Sequence, residues 1–145
     1  MIPQQSNQQQ PLISGVNQRL INDIEKAVVR EYQAIQFYNR LAELAPTKEA
    51  RQAILDIRQD VIRHYNSFNQ LFAQLSGRMP NIAGAPLPVS YRDGIREAIQ
   101  DEMDAITFYK NISSSTQIPG IQHRFTRAVE DVARHEQILR NLLAQ

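Results

Sequence analysis

Two stretches of this chain repeat one another at a spacing of 71 residues without a gap, and this repeat restricts the fold more than any other feature. "IEKAVVREYQAIQFYNRL" (24–41) lies over "IREAIQDEMDAITFYKNI" (95–112), and "DVIRH" (60–64) lies over "DVARH" (131–135). Each copy reads as two helices. In the first copy, Leu20, Ile24, Ala27, Val28, Ile35, Tyr38 and Leu41 fall at helical spacing. Ala45-Pro46-Thr47 interrupts that pattern, with Thr47 placed to cap the next helix and Glu49 in its first turn. The second helix runs to about Leu75 along Ile54, Ile57, Val61, Phe68 and Leu71. In the second copy one helix spans about Ser90 to Ser113, and another spans about Ile118 to Leu143, beyond the break at "SSSTQIPG". No segment reads as a strand.

The connections decide the topology. Short breaks join the helices within each copy, so each copy is a helical hairpin: residues 14–75 and residues 90–144. Between them "SGRMPNIAGAPLPVS" holds three prolines and two glycines and cannot be helical. Such a segment of about 15 residues reaches about 50 Å when extended, against about 38 Å for a helix of about 25 residues. The linker, residues 76–89, can therefore run the length of the molecule. The expectation is all-α: an antiparallel four-helix bundle over residues 14–145, made of two hairpins and a long crossover. Residues 1–13 are Gln-rich with two prolines and read as a disordered tail.

Composition narrows the function. The 16 basic and 15 acidic residues nearly balance and form no basic stripe, which argues against a nucleic-acid partner. The absence of cysteine excludes disulfides, thiolate catalysis, cysteinyl zinc sites and iron–sulfur clusters. No signal peptide or membrane-length apolar run is visible, so a cytoplasmic, non-membrane protein is expected.

Polar residues interrupt the apolar stripes at matching places. Glu31 lies between Val28 and Ile35, and Glu102 between Ile99 and Ile106. His64 follows Val61 and precedes Phe68 on the stripe of its helix, and His135 is its counterpart. Asp60 and Asp131 stand one turn before the two histidines. A pseudo-twofold arrangement brings both sets to one level of the bundle. There an unpaired buried carboxylate costs several kcal/mol, so these groups must satisfy one another, a water or a metal.

"EYQAIQFY" (31–38) and "EMDAITFY" (102–109) both read E-x-x-A-x-x-x-Y. This pair resembles the first-helix signature of ferritin-like, rubrerythrin-like four-helix-bundle proteins, and the resemblance covers about residues 16–144. It implies that each hairpin offers a Glu from its first helix and an E-x-x-H pair from its second, together holding two iron or manganese ions. Glu31, Glu102, His64 and His135 match the metal ligands, and Tyr38 and Tyr109 match the tyrosines near the site. Val61 and Val132 stand where the resemblance expects glutamates. Asp60 and Asp131 match acidic positions that bond the opposite histidine, and they are also candidate replacement ligands. Without them the site carries two carboxylates against the charge of two divalent ions.

Three expectations follow. One is a metal-binding bundle that holds iron or manganese through the reduced Glu/His site. It would have no rubredoxin-type donor in a chain without cysteine, and no fifth helix to build a storage cage. The second is a metal-free structural or interaction module, in which Asp60 meets His135, Asp131 meets His64 and the glutamates complete the network. The third is a small-molecule site in the bundle, to which no motif points. Catalytic residues are left unassigned, and a homodimer is left open.

Overall fold

The computed structural model describes residues 15–145, so the expected tail, residues 1–13, lies outside the described residues. Helix α1 spans Gln18–Leu44, and the side chain of Asn17 caps it by accepting the Leu20 N–H at 2.8 Å. It stops before Pro46, which disfavours helical backbone in the residue ahead of it. Thr47 caps α2, Lys48–Ser76, by accepting the Ala50 N–H at 3.0 Å, and Glu49 sits in the first turn. Gly77 ends that helix at φ +71°, a backbone conformation that glycine adopts without a Cβ penalty. Helix α3 spans Tyr91–Ser114 and α4 spans Pro119–Ala144, with proline in the first turn, where its missing N–H costs nothing. The last three helices end within one residue of the expected positions, Ser76 completing α2 instead of opening the linker, whereas α1 begins at Gln18, four residues into the expected hairpin. There is no strand among the described residues.

α1 packs closely on α2 and α3 on α4, so each copy of the repeat is an antiparallel hairpin. The crossover then climbs along α1. Arg78 donates two hydrogen bonds to the Glu25 carboxylate, at 3.0 and 2.9 Å, and the Asn81 N–H adds a third at 2.8 Å. Further along, Gln33 donates to the Ala83 carbonyl at 3.0 Å. At the far end Gly94 of α3 lies against Leu41 of α1 and Pro88 of the linker. The linker thus returns the chain to the other end, and α1 and α3 run antiparallel. It also carries the exposed apolar residues Met79, Leu87 and Val89. A Cβ at Gly94 would fall 2.6 Å from Leu41 Cδ1 and 3.0 Å from the Pro88 side chain. Gly94→Ala should therefore cost about 1–3 kcal/mol by overpacking. A urea midpoint equal to that of the parent would show that the contact yields freely.

The core has two apolar clusters. One gathers Leu20, Ile24, Phe68, Phe72, Tyr109 and Phe125 around a stacked pair, Phe68 and Phe125, whose centroids are 4.4 Å apart. The other gathers Leu41, Ile54, Ile57, Ile95 and Leu139. Between them lies a buried polar layer.

Candidate functional site

That layer holds Glu31 of α1, His64 of α2, Glu102 of α3 and His135 of α4, all buried. The imidazole rings of His64 and His135 face each other with centroids 6.3 Å apart. His64 Nδ1 lies 3.0 Å from Glu31 Oε1 within its own hairpin, and its Nε2 lies 2.8 Å from Asp131 Oδ2 of the other. The second copy repeats this: His135 Nδ1 is 3.0 Å from Glu102 Oε2, and its Nε2 is 2.7 Å from Asp60 Oδ2. Each histidine therefore ties a glutamate of its own hairpin to an aspartate of the partner hairpin. A ring with carboxylates at both nitrogens donates to both only as imidazolium. For His64, burial alone would lower the pKa, but the bonds and charges of Glu31 and Asp131 prevail and raise it above 6.5.

One residue of the centre has no counterpart in the repeat. Arg30 of α1 donates to Glu31, its sequence neighbour, and across the bundle to Glu102. A contact at 3.4 Å reaches the Asp101 carbonyl. A single guanidinium thus bridges both buried glutamates. Burial would push the Glu31 carboxyl up, but the Arg30 charge, His64 and the Tyr109 hydroxyl together bring it down to about 2. Glu31 and the guanidinium hold each other in the charged state.

Arginines close the opposite side of the layer. Arg134 donates to Asp60 at 2.9 Å and to Asp131 at 3.0 Å, and Arg63 donates to Asp60 at 2.6 Å. Asp60 and Asp131 are both held below their ordinary range; burial opposes this, and the facing histidine and the guanidiniums outweigh it. The tyrosines differ from each other. Tyr109 donates its hydroxyl to Glu31. Tyr38, only 2% exposed, makes no such bond among the described residues.

No protein-family model matches the chain. The uncharacterized protein YhjR of Bacillus subtilis (strain 168) is 36% identical over 118 residues, which are 80% of this chain and 81% of YhjR. The chain belongs to the family of YhjR. A hypothetical protein from Pyrococcus furiosus superposes with a TM-score of 0.78 at 20% identity, over 86% of this chain and 88% of the other. At that identity the likeness shows a shared four-helix fold and nothing more.

In this YhjR-family chain the sequence-derived site residues Glu31, His64, Glu102, His135, Asp60 and Asp131 come together, with Tyr109 bonded to them and Tyr38 alongside. Val61 and Val132 are buried and offer no donor. The residue that sequence reasoning missed is Arg30. It lies off the apolar stripe, but the 71-residue register sets it against Asp101, a charge reversal directly beside the repeated glutamates. A metal ion would find both glutamates bonded to Arg30 and both nitrogens of each histidine facing carboxylates. Among the described residues no group of three His, Asp or Glu side chains is disposed to hold an ion in common.

Proposed function

We propose that the chain is a ferritin-like, rubrerythrin-like bundle in which an internal guanidinium takes the place of the metal pair, and that it serves as a structural or interaction module. The observation that carries this reading is Arg30 bridging Glu31 and Glu102. A fixed cation between the two carboxylates does what an ion would do there: it compensates their charge and joins the hairpins. The donor set does not suit iron or manganese, because Val61 and Val132 remove two expected carboxylates and the remaining ones are engaged. The gathering of Glu31, His64, Glu102 and His135 at one level favours the second reading, a reduced iron or manganese site. That site would require Arg30 to leave through the side on which its side chain is 21% exposed.

Titration of protein purified without chelators separates the two. Neither Fe(II) nor Mn(II) should saturate at a whole-number stoichiometry or move the melting temperature. A resident metal at 100 times its Kd would add about 2.7 kcal/mol of stability, or roughly 5–10 °C in a chain of this size. Saturation at two ions with such a rise would overturn the proposal.

A further inference from the structure

Away from the histidines, the face between α1 and α3 opens into a pocket of about 450 Å³. The repeat itself creates this space. Ala34 and Ala105 occupy equivalent positions and leave room between the helices, and the equivalent rings of Phe37 and Phe108 frame it. The crossover supplies a further wall at Ala85 and Pro86, near the Gln33–Ala83 hydrogen bond.

The polar groups of this pocket are mostly acidic. Glu97, Asp101 and Asp104 follow one another at i, i+4 and i+7, a single stripe of α3, with the outer two about 10 Å apart along the axis. Arg30 is the only cationic residue in the lining, and its guanidinium is already shared by Glu31 and Glu102. Asp104 accepts a hydrogen bond from neutral Gln100 at 3.0 Å, and no described cation pairs with the side chains of Glu97 or Asp101. Burial pushes the Asp101 carboxyl up; Glu97, Glu102 and Asp104 act the same way, against Arg30.

Tyr38 points independently to a ligand. It lines the pocket, is 2% exposed and has a hydroxyl without a hydrogen-bond partner among the described residues, whereas its twin Tyr109 is bonded to Glu31. Tyr38 shares this lining with Glu102, Arg30 and Asp101. Making no hydrogen bond to a described side chain, its hydroxyl is free to accept one from a ligand group in the pocket.

We propose that this pocket binds a linear aliphatic polyamine, with ammonium groups against Glu97, Asp101 and Asp104, methylenes on Phe37, Ala34, Ala105 and Phe108, and an ammonium N–H donated to the Tyr38 hydroxyl. The spacing of the carboxylates suits amines separated by three or four methylenes, and aromatic faces favour a cation with an apolar chain.

Isothermal titration of the full chain with spermidine tests this. One molecule should bind saturably, and octanediol, of similar length but uncharged, should not. Asp101→Asn should weaken spermidine about fivefold, and Tyr38→Phe should weaken it about fivefold through the lost hydroxyl. Asp101→Asn is nearly isosteric and Tyr38→Phe keeps the ring, so circular dichroism should show both variants folded. Absence of saturation would overturn the proposal. So would affinity unchanged in both variants, which would mark diffuse counterion association.

Discussion

Arg30→Met should lower the stability of the fold by about 3–5 kcal/mol at neutral pH, the usual cost of removing one member of a buried charge cluster. The methionine keeps most of the side-chain volume, so the loss is electrostatic: Glu31 and Glu102 remain buried near each other without their shared cation. One of them then takes up a proton, as paired carboxylates do when they cannot both ionise. Urea unfolding measures the loss directly. Adding Glu102→Gln to Arg30→Met should recover part of it, because the second change removes the repulsion that the first exposes, and the double-mutant cycle should therefore show strong coupling. If Arg30→Met stays within about 0.5 kcal/mol of the parent, as an ordinary surface substitution would, the guanidinium does not hold the centre.

The second large effect is a dome in stability against pH. Glu31 has a folded pKa of about 2 against an ordinary 4.5. The unfolded chain therefore takes up this proton more readily, and the contribution of Glu31, about 3 kcal/mol, is complete above 4.5 and lost as pH falls toward 2. Asp60 and Asp131 are lowered from 3.8 and steepen the same acid limb. His64 acts in the opposite window: raised above 6.5, it contributes fully below that value and loses its contribution as pH climbs through the folded pKa. Maximum stability should thus fall between about 4.5 and 6.5. Urea midpoints across the pH range measure it, with Glu31→Gln flattening the acid limb. A maximum at about pH 8 would contradict the charged state assigned to His64.

The helices and the hairpin pairing could be read from the sequence because burial imposes a period on whole segments. Leu20, Ile24, Val28 and Leu41 report a helix face regardless of what packs on it. The cross-hairpin pairs His64–Asp131 and His135–Asp60 could be read because two copies in one register must meet about an axis. Arg30 could not be found this way. Periodicity assigns it to the outer surface, yet a long side chain can lie back into a core when two carboxylates are there to receive its head group. The contrast between Tyr38 and Tyr109 was hidden for a related reason. Identical residues acquire different partners once Arg30 breaks the symmetry around them.

That single break also governs which half can associate with which. Two copies of the first hairpin, paired as the halves are now, would place two guanidiniums in a space built for one. Two copies of the second would place Asp101 opposite Asp101 with no cation between the buried glutamates. Only the mixed pair is electrically complete. The duplicated halves have become complementary parts that are no longer interchangeable.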